Sequence, residues 1–143
     1  MAQILVTENI VGPGMDQLRD QFDVAWEPGG WEDTEKLASQ LQDIEALVVR
    51  NQTQVTDAVI ASAPNLKVIG RAGVGVDNID LDAAGKKGII VMNAPEGNLI
   101  TTAEHAMALM LSMARNIPRA DATLRGGKWS PKAFMGVELY NKV

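Results

Sequence analysis

The amino-acid sequence predicts an α/β fold in which a parallel five-stranded sheet carries helices on both faces and is followed by a long helix. Short apolar runs alternate about five times with segments of helical periodicity, and the links between them are short. Each apolar run is unbroken, as a strand buried on both faces requires. Polar or glycine-rich residues follow most of these runs, so a ligand site is expected at one edge of the sheet.

The first half of the sequence supplies three strand predictions and two helix predictions. The strands are the apolar runs 4–6, 24–26 and 46–49. Met15, Leu18 and Phe22 recur at helical spacing between the first two runs, which predicts one helix face. Thr34 is expected to cap a second helix, which carries Leu37, Leu41 and Ile44.

The middle of the sequence supplies two more strands and two more helices. The strands are 66–69 and 89–92, and the helices are 55–63 and 81–87. Pro64 and Gly88 are expected to end these helices. Asp77, Asn78 and Asp80 offer oxygens that can cap the later one.

A longer helix is predicted over 99–117, with Pro118 as its end. Its alanine, methionine and leucine residues spread around most of its circumference, so it is expected to have neighbours on several sides. A second domain, a second chain or both would cover it. The stretch 126–131 is predicted to be an irregular connector.

Composition excludes several classes of protein. The 143 residues contain no cysteine and carry a net charge of −5, which argues against disulfides, thiolate sites and nucleic acid as a partner. No signal sequence or membrane-spanning run is predicted, and a cytoplasmic location is expected. Asp77, Asp80 and Asp82 lack the glycine and closing glutamate of a calcium loop, so no metal site is predicted.

The stretch 68–80 is the most informative one. An apolar run leads into Gly73-Val74-Gly75, which predicts a strand, a glycine loop and a helix start. An anion or the edge of a cofactor is the natural ligand of such a loop, although a tight turn alone is the alternative. Asn78 occupies the third position of the dinucleotide fingerprint, so this is not that motif.

Five ordered sequence blocks span nearly the whole chain and resemble the D-2-hydroxyacid dehydrogenase family. They are 50–56, 70–80, 88–95, Asn98 with Ala103-Glu104, and Gly127-Lys128-Trp129 with Phe134-Met135-Gly136. The Lys-Trp and Phe-Met-Gly blocks point to the D-3-phosphoglycerate dehydrogenase branch. The implied reaction is NAD-dependent oxidation of 3-phosphoglycerate to 3-phosphohydroxypyruvate, in serine biosynthesis.

The resemblance also implies a domain organisation. Residues 1–97 would form a flavodoxin-like substrate-binding domain, and 98–143 an interdomain helix with the start of an NAD-binding domain. The 99–117 helix would help to form a homodimer. In the family the dinucleotide loop and the catalytic His, Glu and Arg follow later, so this chain is expected to end before them, to contain no catalytic residue and to be inactive alone.

Several residues are candidates for binding a small anionic substrate. Arg50 follows a predicted strand and offers a bidentate guanidinium, with Asn51 beside it as a further donor. A surface salt bridge is the alternative for Arg50. Arg71 is expected to touch either the anion or the loop backbone.

The resemblance assigns the glycine loop and Asn98 to substrate and cofactor. Backbone N–H groups around Val74 and Gly75, in the loop that begins with Gly73, would bind the carboxylate of the 2-hydroxyacid, while the Val74 side chain would pack near the nicotinamide. Asn98 would lie near both ligands. Its alternative role is that of a helix N-cap.

His105 is the single histidine of the chain, and we predict that it is not a catalytic base. Thr101 and Glu104 have the spacing of a capping box, which gives this segment a structural explanation. In the family that the sequence resembles, the catalytic histidine lies far downstream.

Two other classes of function remain open from the sequence. A non-catalytic flavodoxin-like module could be a signalling receiver or an anion-binding protein. A receiver needs a phosphoacceptor Asp after its third strand, where this chain has Arg50, so an anion-binding module is favoured over a receiver. The long helix also permits a purely dimerising fragment.

Overall fold

The computed structural model describes residues 3–142. The chain divides into two compact units, Met1–Gly97 and Asn98–Val143, and each is described by itself. The first unit contains the sheet. The functions assigned to 1–97 and 98–143 remain predictions.

The first unit is built on a parallel five-stranded sheet, as predicted. Its strands are β1 (Ile4–Val6), β2 (Val24–Trp26), β3 (Ala46–Val49), β4 (Val68–Arg71) and β5 (Ile90–Asn93), in the order β2-β1-β3-β4-β5. This is the flavodoxin-like strand order, which reverses between β1 and β3. In such sheets the carboxyl ends of these two strands border the ligand crevice.

Within the described residues, four α-helices and a 3₁₀ turn over Leu41–Asp43 connect the strands of the first unit. The α-helices are α1 (Pro13–Gln21), α2 (Thr34–Gln40), α3 (Asp57–Ala61) and α4 (Leu81–Lys86). The predicted cap of α2 is wrong, because Asp33 and not Thr34 is the N-cap: its Oδ1 accepts the N–H groups of Glu35 and Lys36, both at 3.0 Å. A carboxylate is a stronger acceptor for these N–H groups than a hydroxyl.

The end of α4 confirms the role predicted for Gly88. Gly88 has a φ of +70°, a conformation that costs a glycine little. Its N–H donates to the carbonyl of Gly85 at 3.0 Å, and the next N–H, from Ile89, donates to Ala84 at 2.9 Å. This pair of bonds turns the chain directly into β5.

The main core lies between one face of the sheet and helices α2, α3 and α4. Leu5, Leu47 and Ile69 supply the sheet side of this core. The opposite face is covered by α1, whose Met15 packs with residues of β1.

The second face is covered less completely than the sequence suggested. Ile90 is 62% and Met92 60% exposed, so β5 is not buried on both sides in the described residues. An unbroken apolar run therefore predicted a strand correctly, but the covering of its two faces wrongly.

The second unit contains α5 (Leu99–Ala114), α6 (Ile117–Arg125) and a 3₁₀ turn over Pro131–Phe134. The predicted 99–117 helix is too long, because Asn116 adopts a left-handed φ of 54° and ends it. Pro118 lies in the first turn of α6, where a missing N–H costs nothing, and does not end a helix.

The start of α5 also differs from the prediction. Asn98 precedes the helix but its side chain makes no capping hydrogen bond. Thr101 lies inside the helix, so Thr101 and Glu104 do not form a capping box. Within residues 3–142, no helix is both long enough and apolar enough to cross a membrane.

Because one face of the sheet is packed more fully than the other, we expect matched substitutions on the two faces to differ in their effect on the free energy of unfolding. Ile69 is fully buried, so Ile69→Ala should lower the free energy of unfolding by about 2–5 kcal/mol. Ile90→Ala removes the same atoms from the exposed position of β5 and should cost less than about 1 kcal/mol. Urea unfolding followed by circular dichroism measures both, and equal losses would contradict this description of the core.

Candidate functional site

The candidate site lies where β1, β3 and β4 end. Three polar segments follow these strands: Glu8, the loop 50–53 and the glycine loop 73–75. Because the strand order reverses between β1 and β3, the first two segments border the crevice in which such sheets bind ligands.

Glu8 organises the 50–53 loop around its carboxylate. The side chain is 2% exposed and accepts every backbone N–H of the loop. The donors are Arg50 at 2.8 Å, Asn51 at 3.1 Å, Gln52 at 3.1 Å and Thr53 at 3.0 Å. The Thr53 hydroxyl adds a fifth hydrogen bond at 2.9 Å. A buried carboxylate needs such partners, since burying a charge without them is very unfavourable.

These hydrogen bonds keep the Glu8 carboxylate ionised. Burial by itself raises its pKa, but the hydrogen bonds from Thr53, Arg50 and Gln52 outweigh that effect, and the pKa is lowered below 4.5. Near neutral pH the loop therefore surrounds a negative charge.

The carbonyl groups of the same loop are held from the β4 side. The Asn78 side-chain amide donates to the carbonyls of Thr53 at 2.8 Å and Arg50 at 3.2 Å. Arg71 Nε also donates to the Arg50 carbonyl, at 2.9 Å. The hydroxyl groups of Thr7 and Thr53 are hydrogen-bonded to each other, with 2.7 Å between their oxygens. The loop is thus fixed through both its N–H and its C=O groups.

This arrangement leaves the side chains of Arg50 and Asn51 exposed. Neither side chain makes a hydrogen bond or an ion pair with the described residues, so the alternative of a surface salt bridge for Arg50 finds no partner there. Both groups are therefore available to a ligand, on a loop whose backbone is fixed.

Arg71 connects this loop with the glycine loop. Its guanidinium lies so close to Gly73 that a Cβ there would overlap it, so a larger residue at this position would require Arg71 to shift. Of the two roles expected for Arg71, the structure shows the contact with loop backbone, through the carbonyl of Arg50.

The glycine loop has unused backbone donors. Among the described residues, the N–H groups of Val74 and Gly75 have no hydrogen-bond acceptor. The loop is held instead through carbonyls: Val74 accepts from Asn93 Nδ2 at 2.7 Å, and Gly73 from the Ala94 N–H at 2.9 Å. The Val74 side chain is 39% exposed beside these donors.

The charge around the glycine loop is mixed. A Cβ on Gly75 would lie 2.6 Å from Asp77 Oδ1, so this carboxylate lies beside the free N–H groups. An anion bound there meets one negative charge as well as two donors. The guanidinium of Arg71 supplies the nearby positive charge.

The structure brings most of the predicted site residues together in the first unit, but not all of them. Asn98 lies in the second unit, where its side chain is exposed. His105 is also exposed, on α5, and its exclusion as a catalytic base stays a prediction. Within residues 3–142, no cluster of three His, Asp or Glu side chains could hold a metal ion.

Sequence reasoning missed the residues that hold the site in place. Glu8, Asn78 and Asn93 make the key side-chain bonds to the two loops. The only signal in the sequence was an acidic residue in the polar segment after the first strand. The sequence predicts a helix-capping role for Asn78, whereas in the structure its side-chain amide donates to carbonyls of the 50–53 loop.

We expect the hydrogen bonds between the Glu8 carboxylate and the 50–53 loop to make the free energy of unfolding depend on pH. Since the folded pKa is lowered, the stabilisation by Glu8 is complete above pH 4.5 and is lost as the pH falls through the folded pKa. Glu8→Gln should therefore cost about 2 kcal/mol or more at pH 7, and progressively less as the pH falls through the lowered pKa of Glu8. Urea titrations of both proteins across this range test it, and a constant difference at every pH would contradict it.

Comparison with known proteins places this architecture in a family. Residues 4–141 match the family described as D-isomer specific 2-hydroxyacid dehydrogenase, catalytic domain. The chain is 51% identical to D-3-phosphoglycerate dehydrogenase of Archaeoglobus fulgidus over 141 residues, which are 98% of this chain and 26% of that protein. It is 49% identical to the enzyme of the same name from Methanocaldococcus jannaschii, covering 99% of this chain and 27% of that one.

A solved structure shows the same fold. D-lactate dehydrogenase from Aquifex aeolicus, complexed with NAD and lactic acid, superimposes with a TM-score of 0.81 at 24% identity, over 95% of this chain and 41% of that one. The chain thus spans about a quarter of the length of the two D-3-phosphoglycerate dehydrogenases. It belongs to the family of D-isomer specific 2-hydroxyacid dehydrogenases and matches their catalytic domain.

Proposed function

We propose that this chain is the substrate-binding part of an NAD-dependent D-3-phosphoglycerate dehydrogenase. The observation that carries the proposal is the 50–53 loop, whose exposed Arg50 and Asn51 side chains have no partner among the described residues. Membership of a 2-hydroxyacid dehydrogenase family and about 50% identity to two enzymes named D-3-phosphoglycerate dehydrogenase support it. A cytoplasmic location is part of the proposal.

The substrate has two anionic groups, and the site offers two kinds of donor. Arg50 and Asn51 would bind one group through side chains, with the guanidinium fork suited to a phosphate or carboxylate. The N–H groups of Val74 and Gly75 would bind the carboxylate of the 2-hydroxyacid, with Gly73 admitting the guanidinium of Arg71. The two anchors would fix the orientation of the carbon between them.

NAD, when bound, supplies the hydride acceptor for the oxidation of 3-phosphoglycerate. The glycine loop does not fit the pyrophosphate of a dinucleotide, because Asn78 stands at the third glycine position and its amide is used on the 50–53 loop. Val74 would therefore contact only the edge of the cofactor, and Asn98, in the second unit, is a separate candidate for a cofactor contact.

We also propose that the 143 residues alone are not catalytic. A dehydrogenase needs a base and a held nicotinamide in addition to an anion site. The described residues provide the anion site, and the family resemblance assigns the base and the dinucleotide loop to other segments. A non-catalytic anion-binding module is the alternative that the same geometry permits.

We expect Arg50→Ala to weaken binding of 3-phosphohydroxypyruvate by about 10- to 100-fold, since a hydrogen-bonded charge is lost. The free energy of unfolding should change by less than about 0.5 kcal/mol, because the exposed side chain has no partner among the described residues. Arg50→Lys keeps the charge but not the fork, so its affinity should be intermediate. Isothermal titration calorimetry measures all three proteins.

Arg19→Ala provides the matched control for this experiment. Arg19 is another exposed arginine of the first unit, and its guanidinium lies 4.7 Å from the ring centroid of Trp26. Its removal should leave the affinity unchanged. Failure of the unaltered chain to bind would contradict the proposed substrate site, and unfolding of Arg50→Ala would make Arg50 a structural residue.

We propose, in addition, that the chain forms a homodimer through α5. The support is the exposure of its large apolar side chains, which range from 47% to 79%. They are Leu99, Ile100, Met107, Leu109, Met110, Leu111 and Met113. Patches of this kind typically mark contacts with another domain or another chain.

We expect the unaltered chain to sediment as a dimer at micromolar concentration. Met113→Lys would place a charge in the apolar contact and should raise the dimer dissociation constant by at least about tenfold. Val11→Lys makes the same change at a 77% exposed position of the first unit and should leave it unchanged. Analytical ultracentrifugation on dilution measures both, and a monomeric unaltered chain would refute the dimer.

A further inference from the structure

We infer that Glu8 is the positioning residue of the anion site, and that its carboxylate sets the loop shape that presents Arg50 and Asn51 to the substrate. This inference rests on the proposed function, because it concerns how that same site is built. It adds a residue that is not itself expected to touch the substrate.

The first step of the argument is the position of Glu8. It follows β1 at the reversal of strand order, opposite the loop that follows β3. Four consecutive N–H groups that converge on one point are a common way to bind an anion. In this chain the anion they bind is the Glu8 carboxylate, at 2.8–3.1 Å.

The second step is the effect on recognition. Because Glu8 occupies the loop N–H groups, an external anion at this loop can be bound only by side chains. The same bonds turn the backbone of residues 50 and 51 so that both of these side chains are exposed. The Glu8 carboxylate therefore leaves the side chains of Arg50 and Asn51 as the groups of this loop that can bind an external anion.

The third step is the division of bonds between the two carboxylate oxygens. Oε1 accepts from the Arg50 N–H, the Thr53 N–H and the Thr53 hydroxyl. Oε2 accepts from the N–H groups of Asn51 and Gln52. A glutamine at this position keeps one acceptor oxygen. We expect that oxygen to take the place of Oε1, because Oε1 accepts three of the five hydrogen bonds. The glutamine NH₂ group would then face the N–H groups of Asn51 and Gln52.

Electrostatic repulsion and positioning predict opposite effects of Glu8→Gln on affinity. The substitution removes a negative charge close to the anion site, so Coulomb repulsion alone predicts tighter binding of an anionic substrate. Loss of loop positioning predicts weaker binding. The sign of the change therefore separates these two effects.

The test measures the affinity of this chain for 3-phosphohydroxypyruvate by calorimetry, together with amide hydrogen exchange by NMR. For Glu8→Gln we expect at least about tenfold weaker binding, from misplacement of Arg50 and Asn51. We also expect faster exchange at the amides of Asn51 and Gln52 than at those of Arg50 and Thr53.

Three further variants serve as controls. Glu45→Gln makes the same chemical change at an exposed residue that pairs with Lys67 at 3.0 Å, and should leave affinity and loop exchange unchanged. Ile89→Val lowers global stability without touching the loop, and should also bind normally. Glu8→Asp keeps the charge but is shorter, so it should bind more weakly than the unaltered chain and serves if Glu8→Gln does not fold.

The outcomes separate this inference from the proposed function. If the unaltered chain does not bind 3-phosphohydroxypyruvate, the proposed substrate site is wrong and the role of Glu8 in it is wrong as well. If the unaltered chain binds but Glu8→Gln, or Glu8→Asp in its place, binds equally well or more tightly, only the positioning role is overturned. Equal weakening by Ile89→Val would show that Glu8 acts through global stability alone.

Discussion

The burial of the Glu8 carboxylate is the constraint on which the site depends. A carboxylate that is 2% exposed can remain ionised without a large energetic cost only while its hydrogen bonds are made. Four of these bonds come from consecutive N–H groups of the 50–53 loop, so the loop cannot unwind without leaving a buried charge unpaired. Asn78 and Arg71 hold the carbonyls of that loop, and they connect it to the last residue of β4 and to the segment that follows.

The same constraint explains how a loop site can be rigid. The loops follow strands whose main core, shared with α2, α3 and α4, is fully formed within the first unit. The opposite face is thinner, and its β5 residues are exposed. The backbones of the loops that carry the groups proposed to bind substrate are therefore held by side-chain hydrogen bonds, at the ends of strands that contribute to the well-packed face.

The sequence predicted the strands well because unbroken apolar runs are a local signal, and all five were found within two residues of their predicted positions. Predictions from local capping and proline rules were weaker. Pro118 begins α6 because proline suits a first turn as well as the end of a helix. Asp33 replaced Thr34 as a cap because adjacent residues compete for the same N–H groups.

The hydrogen bonds between Glu8 and the 50–53 loop could not be predicted from the sequence, for a different reason. Its hydrogen bonds join residues 42–45 positions apart, and only the sheet order brings them together. Arg50 was found because its residue type and its place after a strand are local features. Its fixed backbone was not predictable, since Arg50, Asn78 and Arg71 meet only through the parallel pairing of β3 with β4.

The spacing between the two proposed anchors follows from this pairing. Arg71 donates to the carbonyl of Arg50 and lies against Gly73, so one side chain connects the side-chain anchor with the backbone anchor. The overall charge of −5 opposes any anion, but its effect is screened over about 8–10 Å at ordinary ionic strength. Local donors can therefore bind an anion in an acidic protein, provided that their positions are fixed before it arrives. A substrate with two anionic groups would be selected by the spacing of the two loop backbones, which the Glu8 and Arg71 contacts fix, and by the reach of the exposed Arg50 side chain.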